Sequence, residues 1–287
     1  MRQGQTIEGY LQDKYSAGGP GSERFDPVDD EVHSSQLSDC QRKRKWKHDR
    51  GTRADPSPYF ELGRIFEMMY GAALAHEHDP GIETNDLKRH PPWEIVEMTT
   101  HVVQDVNVDI DLGGVSVVGE CDWVVLDESC PAAHAHEEHG VLEEVQVTES
   151  GGRGARFGEG QTYDYEQDWV QKVVETKTTK DLDWKRKRGA DDKHVYQVYP
   201  YMHALMTEGE IVYMQRNDWE ELVFPLEYDA DKWLDCVVRA RTHARNQKAE
   251  ENVVPPTSPL DDSECRWCDF SHECANVGGS RWEDDDD

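Results

Sequence analysis

Apolar residues recur at helical spacing between Tyr59 and Ala75, at Phe60, Ile65, Phe66, Met69 and Leu74. That three-to-four-residue period predicts a helix with one buried side. Strand patterning begins at Ile95-Val96. From His101 to Ile110, Val102, Val106, Val108 and Ile110 largely alternate with polar residues, as in a strand with one buried face. Val115–Leu126 is a second strand region, and its unbroken run Trp123-Val124-Val125-Leu126 suits a central strand covered on both faces. Trp169–Thr178 reads as a third strand. His194–Met206 reads as a helix despite Pro200, Ile211–Met214 and Leu222–Leu226 as short strands, and Ala230–Lys248 as a helix with Trp233, Val237 and Ala240 on one face. Pro255, Pro256 and Pro259 then break the chain.

Outside these segments the pattern weakens. Residues 1–36 are rich in Gly, Ser and Asp and read as a loose lead-in. Residues 127–166, with Cys130, His134, His136 and His139 among Glu and Ala, read as an insertion, in which Val141–Val147 adds a hairpin arm. The His-rich loop could hold zinc, but its spacing fits a solvated loop better. A single domain is expected over 37–280, followed by an acidic tail over 281–287. No apolar run approaches the ~18 residues of a membrane-spanning helix, and Met1–Thr6 has no apolar signal stretch. The expectation is a cytoplasmic protein without a membrane partner.

Charge changes the picture. The chain carries 31 Lys+Arg against 60 Asp+Glu, a formal net charge of -29. At ordinary ionic strength such a surface repels itself and any nucleic acid; in molar salt the Debye length falls to about 3 Å and the repulsion is screened. The acid is spread along the whole chain, which points to a salt-accumulating cell, a haloarchaeon or one of its viruses. Nine Trp, eleven Tyr and distinct apolar strands argue against a disordered acidic protein. Two basic islands depart from this background, Arg42-Lys43-Arg44-Lys45 with Trp46 and Lys47, and Lys185-Arg186-Lys187-Arg188. Trp46 amid cations could stack on an unpaired base, so the first island is the leading nucleic-acid surface and the second the next place to look.

Three segments bear chemistry in order: Gly119-Glu120-Cys121-Asp122, Val173-Val174-Glu175-Thr176-Lys177 and Gln197-Val198-Tyr199-Pro200-Tyr201. Mg²⁺ or Mn²⁺ takes hard oxygen ligands, which Asp122 and Glu175 could supply from neighbouring strands, with the Thr176 carbonyl as a further donor. Glu175 and Lys177 are two apart and leave one face of a strand. Lys177 would hold the attacking water and screen a phosphate. Taken singly, each has a plain structural reading: a surface charge pair, a polar strand residue, an exposed helix face. Together they resemble the PD-(D/E)XK nucleases, and the Q-x3-Y element resembles the RecB-like members. The resemblance implies an α/β fold, a restriction-endonuclease-like core with a mixed central sheet flanked by helices. It also implies catalytic roles for Asp122, Glu175, Lys177, Gln197 and Tyr201. Glu67 falls where the family carries His or Glu on its first helix; His76 is the substitute candidate.

The seven cysteines include Cys265, Cys268 and Cys274 in one C-x2-C-x5-C run, with Cys40 far upstream. Clustered Cys in a chain without an export signal are better used on metal than in disulfides. Four thiolates suit zinc or iron–sulfur alike. One Cys ahead of the core and three behind it is similar to the iron–sulfur RecB-like nucleases, including the CRISPR-associated exonucleases. That likeness implies a [4Fe–4S] cluster on Cys40, Cys265, Cys268 and Cys274, which would hold Arg42–Lys47 over the active-site mouth. It further implies an exonuclease on single-stranded DNA ends in spacer acquisition, with an integrase as partner. A viral or repair nuclease fits the same residues. A non-catalytic DNA-binding module with structural zinc, or a helicase accessory domain, are the readings from other classes; no G-x4-G-K-[ST] is present for ATP work. Cys121 and Cys236 read as core residues. Homo-oligomerisation, cleavage polarity and RNA cleavage are left open.

Overall fold

The computed structural model describes residues 30–50, 58–130, 141–158, 161–164, 167–217, 219–249, 265, 268 and 270–276. The helices are α1 (Gln41–Arg50), α2 (Pro58–His78), α3 (Thr84–Arg89), α4 (Pro92–Met98), α5 (Leu182–Arg188), α6 (Asp192–Leu205), α7 (Ala230–Gln247) and α8 (Ser271–Asn276). The strands are β1 (Glu31–His33), β2 (Val102–Asp111), β3 (Ser116–Leu126), β4 (Leu142–Val147), β5 (Arg153–Phe157), β6 (Gln161–Asp164), β7 (Val170–Thr179), β8 (Glu208–Gln215) and β9 (Glu221–Leu226).

Among the described residues these strands form one mixed sheet in the order β6-β5-β4-β2-β3-β7-β8-β9, with β1 added beside β3. β2 and β3 are antiparallel, as are β3 and β7, whereas β2 runs parallel to β4 and β7 parallel to β8. The fold is α/β, a mixed central sheet flanked by helices, as expected. One face carries α2, where Phe66 and Leu74 pack on Val102, Trp123, Val174 and Val212. The other carries α6, whose Val198, Tyr201, Met202 and Leu205 join the larger core with Val117, Val124, Val173 and Ile211. Trp123–Leu126 is fully buried, which is why that stretch is apolar without alternation.

Three expectations change. Ile95-Val96 lies in helix α4 rather than a strand: Pro92 starts that helix, where its fixed φ and missing N–H cost nothing, and Ile95 turns inward to Ala72 and Ala75. The lead-in does not extend to 36, because Glu31–His33 pairs with Ser116–Val118 and Ser34 is buried. Within 127–166, β4 pairs in parallel with β2, and β5 and β6 extend the same sheet. The described strands of that segment form a wing of the central sheet, and Leu142–Val147 pairs with β5 as the expected hairpin arm. His134, His136 and His139 lie outside the described residues; Cys130 is buried.

Candidate active site

The site opens where the sheet splits. β3 is paired by β1 through Ser116–Val118 and by β7 through Trp123–Leu126, so Gly119–Asp122 has neither neighbour on that edge. The β3–β7 ladder ends at Trp123–Val174, and Asp122 and Glu175 face each other at the first open rung. With β3 peeled away, the Thr176 N–H has no strand partner there. It donates to Asp122 Oδ2 at 2.7 Å, and Thr176 Oγ1 donates to the same oxygen at 2.9 Å. Backbone pairing is thus traded for a contact that fixes the carboxylate.

Glu175 is fully buried. Its Oε1 accepts from Lys177 Nζ, across the shared strand face, and from Gln197 Nε2 at 2.6 Å. Gln197 and Tyr201 stand one turn apart on α6 and so share a side. Tyr201 OH meets Ser34 Oγ at 2.6 Å, closing the split from the α6 side. Gly119 makes room for this: a Cβ there would stand 2.4 Å from Ser34 Oγ and 2.8 Å from Tyr201 OH. Above the split, Glu67 of α2 accepts from Gln104 Nε2 at 3.0 Å. A cleft of about 420 Å³ joins these groups, lined among others by Arg64, Glu67, Asp105, Asp122, Thr176, Lys177, Gln197 and Tyr201.

Negative charge is crowded here. Burial, reinforced by Asp122, pushes Glu175 up to about 8. Burial, Asp122 and Asp105 push Glu67 up to about 8. Burial and Asp105 raise Glu120 as well. Lys177 is drawn the other way: burial opposes its charge, but Glu175 and Asp122 outweigh that and raise its pKa. Glu175 Oε2 is buried without a hydrogen-bond partner. The donor types suit a hard cation: Asp122 and Glu175 face each other across the split and one buried carboxylate oxygen is unsatisfied. Among the described residues, however, no three His, Cys, Asp or Glu side chains are grouped as ready-made metal ligands.

Asp122, Glu175, Thr176, Lys177, Gln197, Tyr201 and Glu67 therefore come together. His76 does not: its Nδ1 lies 3.0 Å from the Ile82 carbonyl and its Nε2 3.4 Å from Thr84 Oγ1. Asp105 and Glu120 line the cleft and were not legible as site residues. Asp105 sits at φ 58 between the Gln104–Trp123 and Val106–Cys121 pairs, opposite Asp122. The signal was the adjacent polar pair Gln104-Asp105, which breaks the alternation of β2 as an irregular strand does. Glu120 is two residues from Asp122 on β3 and leaves the same face.

The first basic island is a correction. Trp46 is 2% exposed and meets Phe270 edge-on at 5.3 Å. Arg42 and Lys45 are buried; Lys45 Nζ donates to the Gln247 carbonyl at 2.7 Å and pairs with Asp49 at 2.8 Å. Lys43 pairs with Asp39 at 3.4 Å, and burial lowers Arg44 to about 10. This segment seals α1 against α7 and the C-terminal turn, so Trp46 offers no ring face to a base. Cys40 precedes α1, and Arg42 Nη1 donates to Cys274 Sγ at 3.5 Å. The three C-terminal positions are wound by Cys268 N to the Cys265 carbonyl at 3.3 Å and Cys274 N to the Phe270 carbonyl at 2.8 Å. All four cysteines are half-buried.

No helix among the described residues is long and apolar enough to cross a membrane. No family model matches the chain, and no curated protein matches it. Among solved structures it is similar to the crystal structure of SSO0001, at 15% identity over 94% of each chain and a TM-score of 0.45. It is also similar to an alkaline exonuclease (LHK-Exo) from Laribacter hongkongensis, at 11% identity over 78% of this chain and 90% of that one, with a TM-score of 0.28.

Proposed function

We propose that this chain is a metal-dependent nuclease that hydrolyses phosphodiester bonds, acting as an exonuclease on single-stranded DNA ends. The observation that carries the reading is the meeting of Asp122, Glu175 and Lys177 at the sheet split, with Gln197 bonded to Glu175. A Mg²⁺ or Mn²⁺ ion held by Asp122, Glu175 and the Thr176 carbonyl would lower the pKa of a bound water and offset charge on the phosphate, with Glu67 beside it on the cleft wall. The protein groups do the rest. Gln197 and Lys177 hold Glu175 by one oxygen and leave the other turned free. Lys177 keeps its proton throughout the working range, so it can hold the attacking water and neutralise a phosphate oxygen. Tyr201, tied to Ser34, positions the α6 wall that carries Gln197. Arg64, on the cleft wall, is placed to meet a second phosphate oxygen.

The finer parts of the reading rest on the sequence resemblance. Cys40, Cys265, Cys268 and Cys274 carry a [4Fe–4S] cluster, with zinc as the alternative; their shared half-burial and the Arg42–Cys274 contact support it. The setting is a salt-rich cytoplasm, and the pathway is trimming of DNA before spacer storage, beside an integrase. A viral or repair nuclease is the alternative, which the genes next to this one decide.

The test is degradation of a labelled single strand in molar KCl. Mg²⁺ or Mn²⁺ supports it, EDTA stops it, and Lys177→Ala lowers the rate at least about a hundredfold while circular dichroism stays unchanged. Wild-type rates in Lys177→Ala, or undiminished cleavage in EDTA, sink the reading.

A further inference from the structure

With α1 turned inward, an incoming strand needs another surface, and α5 provides one. The helix follows β7 closely: Asp181 caps it by accepting from Trp184 N at 2.9 Å, a few residues beyond Lys177. Its sequence, Leu-Asp-Trp-Lys-Arg-Lys-Arg, is a cationic island in a chain of net charge -29. Leu182 anchors it in the core. Lys185 is buried, 2.5 Å from Asp191, 4.4 Å from the Tyr213 ring centroid and 4.8 Å from that of Trp184. Trp184, 42% exposed, stays outside, with the Arg188 guanidinium 4.9 Å from its ring centroid and Lys187 exposed beside it.

A second exposed indole lies across an ion pair from this helix. Arg186 is ion-paired with Glu220 of the β8–β9 turn, and the next residue back is Trp219, 47% exposed. Its backbone sits at φ 64, where a bulky side chain costs on the order of 1–2 kcal/mol. Its ring stacks on Phe66 at 4.0 Å, and Phe66 precedes Glu67, a wall of the cleft. One exposed aromatic thus stands on the helix that follows β7, whose Thr176–Thr178 line the cleft, and the other stacks on the α2 residue next to Glu67.

We propose that Trp184 and Trp219, with Lys187 and Arg188, form the platform on which a single-stranded nucleic acid lies as it enters the cleft; this rests on the nuclease reading of that cleft. Indole faces stack on unpaired bases of any sequence, and the cations track the phosphates. The Arg188–Trp184 contact is of the kind that an Arg plane makes when it stacks with bases. A duplex hides its base faces, so the surface favours a single strand. Stacking also survives the molar salt that screens charge.

Binding of fluorescent oligodeoxythymidine and of a blunt hairpin duplex, measured by anisotropy on the intact protein in EDTA and molar KCl, tests this. Trp184→Ala weakens single-strand binding roughly tenfold, and Trp219→Ala does the same. Trp184→Phe retains most of the affinity, and duplex affinity changes little throughout. Unchanged melting midpoints establish that the variants are folded; if Trp219→Ala is not, because Phe66 loses its cover, Trp184→Ala carries the test. Wild-type affinity in folded Trp184→Ala, or equal losses on single strand and duplex, overturns the platform. Hydrolysis of bis(p-nitrophenyl) phosphate by the wild type with Mn²⁺ reports on the cleft independently. If the wild type hydrolyses the diester and Trp184→Ala binds normally, only the platform falls. If it neither hydrolyses the diester nor binds the oligonucleotide, the nuclease reading falls with it.

Discussion

Glu175 is the residue on which the cleft's electrostatics turn. It is buried, bonded on one oxygen and unsatisfied on the other. Its pKa rises from 4.5 to about 8 through burial and then Asp122. Between those values the unfolded chain has released a proton that the folded chain keeps, so stability falls as pH rises across that window. The full contribution is present below pH 4.5 and is gone above about 8. Buried histidines work in the opposite sense: His243 falls from 6.5 to about 4, chiefly by burial, so its contribution is lost as acid protonates the unfolded chain first. A difference between variants separates the two. In EDTA, Glu175→Gln melts several degrees above wild type at about pH 8.5, and the gap closes towards pH 5. A constant gap across that range removes Glu175 as its source. The site residues themselves were largely legible, because E-x-K on a strand and Q-x3-Y on a helix fix which side chains share a face. Trp46 was misread because its neighbours in sequence are cations, whereas its packing partner, Phe270, comes from the far end of the chain.

At the scale of elements, periodicity carried most of the fold. β2, β3, β7, β8, α6 and α7 fall where alternation or helical spacing puts them. The failures are instructive. A β-branched pair such as Ile95-Val96 reads as strand until Pro92 is given its place at a helix start. The β4–β6 wing reads as an insertion because its pairing with β2 is long-range and leaves no local mark. The approach of α2 to the sheet was also invisible, and it depends on one glycine. A Cβ at Gly71 would stand 2.1 Å from the Trp123 ring. Alanine favours a helix interior over glycine by about 0.5–1 kcal/mol, but overpacking against a buried indole costs about 1–3 kcal/mol, so the clash wins. Gly71→Ala lowers the denaturant midpoint accordingly. Gly63, on the same helix with nothing within 4 Å of its Cβ position, is the control: Gly63→Ala raises the midpoint by up to about 1 kcal/mol in stability terms. Matching effects at the two positions would mean that α2 does not pack on Trp123 through Gly71.

At the scale of the molecule, two forces oppose each other. A net charge of -29 favours expansion unless salt screens it. Holding the ends together offsets that tendency. Cys40 leads into α1, α1 packs on α7 through Lys45 and the Gln247 carbonyl, and the C-terminal turn docks on α1 through Trp46–Phe270 and Arg42–Cys274. A metal centre on Cys40 and the three C-terminal thiols would close a very long loop, and in the chain-entropy view such a closure is worth on the order of 5 kcal/mol. Its formation would also be coupled to folding, because the unfolded chain offers no assembled site. Protein purified without oxygen is therefore expected to be brown, to bind iron, and to lose both iron and several degrees of melting midpoint in Cys40→Ala. Cys236→Ala, at a buried α7 position, keeps its iron even where the cavity lowers its midpoint. A colourless protein with one equivalent of zinc replaces the cluster by a zinc site. Metal-free protein whose midpoint is indifferent to Cys40→Ala leaves the two ends joined by packing alone.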